Sequence, residues 1–236
     1  MKGQVENIQE LYFAGGEPLL IPEHYKILEF LVEEGFAKDV NLRYNSNGLE
    51  LPDKLFELWQ HFKEVRFNFS IDAYGQRNNY IRYPSQWEDV AKNLKRLDEN
   101  TRDNTVINIA CAVQLLNAGY IDELAEWKMD QGFSKINPSM FGGGIIGTHL
   151  VYLPSYLNVR VLPQKAKLWV KDKLETFIDR QKFNLEFNQH PYGAQRWNGL
   201  IKYMMQEDWS TKLPALREYL TVTDERRGTD YTKTFK

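Results

Sequence analysis

A carboxylate held between two glycines and a proline stands out in the stretch "LYFAGGEPLL", residues 11–20. The apolar run before it predicts a β-strand, so Gly15 and Gly16 fall at the carboxyl end of that strand. Glycines there let the main chain pass close to a ligand and present bare carbonyl and amide groups to it. Glu17 is then placed to meet a cationic group, and Pro18 stiffens the exit from the turn. Taken alone, the motif also fits an ordinary structural turn between a strand and a helix.

Polar side chains also end the next two predicted strands. The segment "LRYNSNG" finishes with Asn45, Ser46, Asn47 and Gly48, and "FNFSIDAYG" finishes with Ser70, Asp72 and Gly75. Ligands of parallel α/β sheets bind at the carboxyl ends of the strands, so we expect these groups to share one site with the glycine turn. Hydroxyl, amide and carboxylate groups suit a ribose or an amino-acid moiety, because a carboxylate can accept from two vicinal hydroxyls.

Strand-like apolar runs alternate with helix-like patterns before residue 150. Strands are predicted over 10–15, 40–45, 65–71, 106–115 and 135–141, and helices over 23–34, 52–61, 85–98 and 121–131. One helix between successive strands is typical of βα units, which form a parallel sheet with right-handed crossovers. The sequence therefore predicts an α/β fold.

The pattern changes after residue 150, which predicts a division into segments 1–150 and 151–236. Helices are predicted over 164–182 and 194–206 in the second segment. The second of these helices has an apolar stripe that we expect to pack against the sheet domain. The stripe consists of Trp197, Leu200, Ile201, Met204 and Met205. The final stretch, "LREYLTVTDERRGTDYTKTFK", is polar, and we expect its end to be loosely ordered.

Composition limits the partners that the chain can have. A formal net charge of -2 and a pI near 6.1 give no strong field toward nucleic acid or an anionic membrane. No stretch is apolar enough to span a membrane, so we expect a cytoplasmic protein with no nucleic-acid or membrane partner.

Cys111 is the only cysteine, and its apolar surroundings predict a buried strand thiol. One cysteine excludes an internal disulfide and a multi-thiolate metal site built from this chain alone.

Three segments together resemble the radical S-adenosylmethionine (SAM) superfamily: "YFAGGEPLL", "YNSNG" and "FSIDAYGQRNNYIRY". The resemblance runs over residues 8–233. Within the superfamily, the sequence is similar to the twitch-domain-containing group, including its segment "LTVTDERRG" near the end. It implies a TIM-like partial (β/α)6 barrel that lacks its first strand and carries a C-terminal helical extension. Residues 1–150 would then form the partial core barrel, and 151–236 the remainder of the core and the extension.

The resemblance also implies roles for residues at the first two strand ends. In the family, the main chain of the GGEP motif, here Gly15, Gly16, Glu17 and Pro18, holds the amino group of SAM. The glutamate braces this motif. Asn47 falls at the end of the following strand and faces the same cleft.

Further roles are implied at the later strands. Ser70 and Asp72 fall where the family contacts the ribose and the carboxylate of SAM. Arg82 matches an arginine that is suited to bind the SAM carboxylate, although an arginine at this spacing also fits a surface ion pair. Asn117, which follows the next strand, is a further candidate, and main-chain atoms of residues 136–138 are candidates for contacting adenine.

One departure from the family pattern changes the expected chemistry. The family binds a [4Fe–4S] cluster through three cysteines of a CxxxCxxC loop after its first strand, whereas this chain has one cysteine. Met1 lies only a few residues before the first predicted strand, so strand one, the cysteine loop and the N-terminal twitch segment are expected to be missing. We therefore expect a cluster only if an upstream segment supplies the cysteines, and no reduction of SAM by this chain alone.

Three functions remain open on the sequence alone. The first is the SAM-binding part of a radical SAM enzyme whose missing segment supplies the cluster. The second is a cluster-free relative that binds SAM or a peptide without radical chemistry. The third is a different enzyme, in which Glu17 and Asp72 act as an acid and base pair at the mouth of a barrel. The substrate is not determined by the sequence, and a peptide is one candidate.

Overall fold

A computed structural model gives the structure of the protein and describes residues 5–136, 145–184, 187 and 193–235. Five strands form one parallel sheet in the order β1-β2-β3-β4-β5. The strands are β1 (Glu10–Phe13), β2 (Asn41–Ser46), β3 (Glu64–Ser70), β4 (Thr105–Val113) and β5 (Gly147–Leu150). The predicted α/β fold is therefore confirmed.

Helices connect and follow these strands. They are α1 (Pro22–Glu33), α2 (Asp53–Trp59), α3 (Gln76–Ile81), α4 (Trp87–Asn100), α5 (Ile121–Asp130), α6 (Gln164–Arg180), α7 (Gly193–Gln206), α8 (Leu213–Arg227) and α9 (Tyr231–Thr234). Short 3-10 turns occupy Pro18–Leu20, Ala37–Asp39, Ser155–Leu157, Val159–Val161 and Ser210–Lys212. In the part of the chain that the structure describes, no helix is both long and apolar enough to cross a membrane.

Two compact units make up the chain. The first comprises Met1–Ser70, Glu88–Ile109 and Phe133–Asn137, and the second comprises Ile71–Trp87, Ala110–Gly132 and Pro138–Lys236. Because the units interleave along the sequence, neither coincides with segment 1–150 or segment 151–236. That division into domains stays a prediction.

The core of the first unit lies on one face of its strands. Buried and more accessible residues alternate along β2 and β3, as expected when successive side chains leave a strand on opposite faces. The buried residues of β3 are the fully buried Val65, Phe67 and Phe69. Helix α4 adds Val90, Leu94 and Leu97 to this unit, at the spacing of one helical face.

The C-terminal helices contribute to the core of the second unit. The predicted stripe of α7 is buried at four of its five positions, and Trp197 stacks on Phe177 of α6 with ring centroids 4.7 Å apart. Helix α8 packs Leu216 and Leu220 with Tyr80 and other apolar side chains. The structure differs from the sequence-based expectation here, because the polar final stretch forms α8 and α9.

The last predicted strand differs from the structure as well. Of residues 135–141, the structure describes only the first two, and Ile136 forms a single parallel bridge with Ile107. Residues 137–141 lie outside the described part of the chain, and so do two of the three residues proposed to contact adenine. The fifth strand of the sheet is β5, which the sequence did not predict.

Candidate functional site

The turn after β1 leaves its main chain open. Gly15 has a φ of +85° and Gly16 a φ of +58°, and both residues are exposed. Such left-handed angles favour glycine, because a Cβ would crowd the following carbonyl oxygen. A Cβ placed on either glycine would meet no atom within 4 Å. The glycines therefore serve the path of the backbone, and the peptide groups of the turn are accessible to a ligand.

Glu17 joins the carboxyl ends of β1 and β2. Its Oε1 accepts hydrogen bonds from Ser46 Oγ at 2.5 Å and from the main-chain N of Leu19 at 3.3 Å. Its Oε2 accepts from the main-chain N of Asn47 at 2.8 Å. A carboxylate has about four acceptor sites, so three bonds leave it capacity for one more donor. Glu17 thus holds the turn in place and keeps some ability to meet a cation.

The turn after β2 is held by its own side chains. Ser46 Oγ accepts from the main-chain N of Gly48 at 2.9 Å, and Asn47 Oδ1 accepts from the main-chain N of Leu49 at 3.0 Å. Gly48 has a φ of +61°, and a Cβ there would lie 2.5 Å from the ring of Phe69. Only glycine fits this position, which sets Ser46 and Asn47 in place to contact Glu17.

The structure therefore brings together the predicted residues of the first two strand ends. Gly15 to Pro18 and Asn47 meet through Glu17, and we call this group, with Ser46, the cradle. The sequence predicts that Ser46 shares a site with the glycine turn, but it does not predict the bond to Glu17. Ser70 is the last residue of β3 and is half-buried.

Asp72 and Arg82 form an ion pair in the second unit. Asp72 Oδ2 accepts from Arg82 Nη1 at 2.8 Å, and Asp72 Oδ1 accepts from the main-chain N of Ala112 at 2.7 Å. The side chain of Asp72 is 6% exposed and that of Arg82 is 27% exposed. Each carboxylate oxygen already has a donor within the protein. Of the two roles that the sequence left open for Arg82, the structure shows an ion pair, and its partner is a buried carboxylate.

Two buried amides surround this ion pair. Asn117 Nδ2 donates to the carbonyl oxygens of Asp72 at 2.7 Å and of Ala112 at 3.0 Å, and its Oδ1 accepts from the main-chain N of Gln114 at 2.7 Å. Asn78 Oδ1 accepts from the main-chain N of Asp72 at 3.0 Å. Both asparagines are fully buried. Asn117 thus positions main chain around Asp72, and Asn78, which sequence reasoning missed, does the same from α3.

Cys111 does not fit the role of a cluster ligand. It is fully buried in β4, and burial, with a smaller effect from Asp72, raises the pKa of its thiol well above the usual range. Metal ligation needs the thiolate, which this environment disfavours. Among the described residues, no group of three or more His, Cys, Asp or Glu side chains is placed to hold a metal ion. Since a [4Fe–4S] cluster needs three thiolates in this family and the chain has one cysteine, its residues do not fit the cluster.

A buried histidine contacts the last residue of β1 in the first unit. His24 Nε2 is 2.9 Å from Tyr44 Oη, and its ring centroid is 4.7 Å from that of Phe13, the last residue of β1. Burial lowers the pKa of His24 to about 4. The imidazole is therefore neutral in the folded protein at physiological pH.

We expect this histidine to make the fold sensitive to mild acid. The unfolded chain binds a proton at His24 below about pH 6.5, whereas the folded chain does so only near pH 4, so the free energy of unfolding falls as the pH drops through this window. The slope from one such group is at most about 1.4 kcal/mol per pH unit. Urea unfolding between pH 7 and pH 5 should show a smaller slope for His24→Gln than for the wild type. A slope for His24→Gln equal to that of the wild type would contradict the assignment.

Comparison with known proteins gives a family and a fold. A sequence model described as the radical SAM superfamily matches residues 1–127, which is more than half of the chain. No curated protein matches the sequence. The matched residues contain the cradle, Asp72, Arg82 and Asn117.

Two solved structures have a similar fold. One is described as "Native anSMEcpe with bound AdoMet", with a TM-score of 0.51 over 78% of this chain and 50% of the other. The second is described as "Native anSMEcpe with bound AdoMet and Cp18Cys peptide", with a TM-score of 0.52 over 84% of this chain and 53% of the other. Both share 14% sequence identity with this chain, so the likeness concerns the fold alone. It confirms the predicted partial barrel, and the chain spans about half the length of these relatives.

Proposed function

The chain belongs to the radical SAM superfamily, and from that premise we propose that it binds SAM through the cradle. The observation that carries this proposal is the carboxylate of Glu17, which ties the open glycine turn to Ser46 and Asn47. An ammonium group has three N–H donors and needs acceptors for them. The exposed carbonyl groups at Gly15 and Gly16 and the remaining acceptor capacity of Glu17 match the amino group of SAM in this respect. The AdoMet bound in the two similar structures supports the choice of ligand.

Other residues are proposed as SAM contacts on separate grounds. Arg82 gives one of its N–H donors to Asp72, and a guanidinium has five, so we propose that Arg82 also binds the SAM carboxylate. Ser70 has the hydroxyl for a ribose contact. Asp72 and Asn117 are proposed mainly as positioning residues, because their polar atoms already bond to other groups of the protein.

The cluster of the family would have to come from other polypeptide. We propose that this chain is part of a radical SAM enzyme of the twitch-domain-containing group, and that a further segment carries the three cysteines. An exposed surface supports this reading: β1 is the edge strand of the sheet, and Ile27 and Phe30 of the following helix α1 are 43% and 37% exposed. An added strand and helix would pair with that edge and cover these side chains. No step of SAM cleavage is assigned to residues of this chain.

The alternative is a relative that binds SAM without a cluster. The single, buried cysteine favours it, because the [4Fe–4S] cluster of the family needs three thiolates. The two proposals predict a different mass and a different iron content for the native polypeptide. If the polypeptide isolated from its source has a mass above 27.8 kDa and contains iron, the proposal of a radical SAM enzyme is supported. A native polypeptide of that mass without iron would leave the cluster-free relative.

We expect Glu17→Ala to weaken SAM binding about 10-fold or more, because the variant loses both an acceptor and the brace of the glycine turn. Isothermal titration calorimetry with SAM measures the effect, and thermal unfolding verifies that the variant folds. Glu10→Ala is the matched control, since Glu10 is an exposed carboxylate at the other end of the same strand. Unchanged affinity in Glu17→Ala would remove the cradle from the site, and a wild type that does not bind SAM would overturn the proposed function.

A further inference from the structure

The first unit leaves one face of its sheet open. Along β2 and β3, every second residue is buried, and the residues between them are half-buried or exposed on the opposite face. Parallel sheets are normally covered on both faces and read as continuous apolar runs. These strands instead carry asparagine, arginine and glutamate on the open face. Such a face suggests a surface that meets a polar ligand.

Asn45 Nδ2 donates to Tyr12 Oη at 2.6 Å, and Asn68 Nδ2 donates to Asn45 Oδ1 at 2.9 Å. Asn108 Nδ2 donates to Asn68 Oδ1 at 3.4 Å. We call Tyr12, Asn45, Asn68 and Asn108 the amide row. Its register is set by the sheet, in which Asn45 and Asn68 lie directly opposite each other.

The amide row ends on an acceptor that lacks a donor. Asn108 is 1% exposed, and its Oδ1 has no hydrogen-bond partner within the described part of the chain. Buried amide oxygens are rarely left without a donor, because each had bonded to water before burial. Because this oxygen is itself buried, a ligand must displace the groups that cover it before an N–H can bond to it.

Charge and length restrict the ligand. The row itself is neutral, and the arginines beside it are paired, Arg43 with Glu10 at 3.3 Å and Arg66 with Glu64. The face therefore has little net attraction for an anion or a cation. Four neighbouring strands span about 14 Å, at ~4.8 Å between strands, which is the length of about four residues of extended polypeptide.

We propose that the amide row binds the backbone of a peptide. The peptide group and the asparagine amide have the same donor and acceptor, so each asparagine can donate to and accept from one peptide unit. A peptide repeats this neutral group over the whole length of the row, whereas a single nucleobase would cover only part of it. The binding does not depend on SAM, and only the role of the peptide as substrate rests on the proposed function.

The probe for this site is N-acetyl-tetraglycine amide, which is neutral and has no side chains. Titration into the ¹⁵N-labelled protein should shift the side-chain NH₂ signals of Asn45, Asn68 and Asn108. The double variant Asn45→Leu/Asn68→Leu replaces both partners of one hydrogen bond with apolar groups of similar size, and it should bind the probe about 10-fold or more weakly. Asn41→Leu, at the amino end of β2, is the matched control and should bind like the wild type. Thermal unfolding verifies that both variants fold.

Each outcome of this titration decides the matter. If adenosine or maltotriose shifts the three signals and the tetraglycine probe does not, the peptide assignment is overturned. If no probe shifts them, the row is an internal hydrogen-bond network and not a binding site. SAM affinity is measured on the same samples, so failure of SAM binding with retained peptide binding would overturn the proposed function alone. If the wild type binds SAM but not the peptide probe, only the amide row is overturned.

Discussion

Gly48→Ala is expected to lower the free energy of unfolding by about 3 kcal/mol, because two costs fall on one residue. The first is the left-handed backbone, with a φ of +61°, which costs a residue with a Cβ about 1–2 kcal/mol. The second is steric, because the new methyl group would lie 2.5 Å from the ring of Phe69, which is fully buried and cannot turn away freely. Overpacking of this kind costs about 1–3 kcal/mol.

Gly35→Ala separates these two costs. Gly35 has a φ of +79°, yet a Cβ there would meet no atom within 4 Å. We therefore expect it to lose only about 1 kcal/mol, from backbone strain alone. Urea unfolding followed by tryptophan fluorescence measures both variants against the wild type. Equal losses in the two variants would show that Phe69 yields to the added methyl group, and that the turn after β2 is less tightly packed than its contacts indicate.

The glycine turn could be predicted from the sequence because its signal is local. Gly15 and Gly16 follow directly on an apolar run, and the structure places them after β1 with left-handed backbone angles. The bond between Glu17 and Ser46 could not be predicted from the sequence, because it joins residues 29 positions apart. Only the pairing of β1 with β2, which sets Phe13 opposite Tyr44, brings the two strand ends level. Sequence patterns give the strands but not their register.

Register also explains why the amide row could not be predicted. In the sequence, Asn45 is one of the polar residues that end a predicted strand, and Asn68 is an ordinary polar residue of the next strand. They become neighbours because β2 and β3 pair in parallel with these two residues opposite each other. The same limit applies to Arg82, for which the sequence left a ligand contact and a surface ion pair open. Its partner Asp72 stands before α3, and the sequence pattern did not predict that six-residue helix.

After residue 150, the sequence pattern does not predict helices α8 and α9, which mix apolar and charged residues. Helix α8 has its buried residues Leu216, Leu220 and Thr223 at i, i+4 and i+7, one narrow stripe among charged residues. In the sequence, the charged residues dominate that stretch and suggest a solvated tail. The helix is stabilised by contacts of this stripe with Tyr80 and Leu116, which are distant in the sequence. Such tertiary contacts commonly override local propensity.

The ion pair of Asp72 and Arg82 should show strong energetic coupling. Arg82→Met leaves a carboxylate whose side chain is 6% exposed without its cation. Removing one partner of a buried pair costs about 3–5 kcal/mol, and because Arg82 is 27% exposed we expect a discounted loss of about 2–3 kcal/mol in the free energy of unfolding. Asp72→Asn should lose a similar amount, since the guanidinium then lacks its partner. The double variant should lose less than the sum of the two, by about 1–2 kcal/mol, because it leaves no unpaired charge behind.

Urea unfolding of the wild type, both single variants and the double variant completes this cycle, and SAM titration of the same four proteins tests the site. The control pair is Lys95 and Glu99, 3.7 Å apart and 71% and 59% exposed, for which Lys95→Met should cost less than about 0.5 kcal/mol. If Asp72 acts by holding Arg82, Asp72→Asn should weaken SAM binding in the wild-type background but add little once Arg82 is Met. A full, additive loss of affinity in the double variant would instead mean that Asp72 contacts SAM directly. Additive losses of stability would mean that water screens the pair, in spite of its burial.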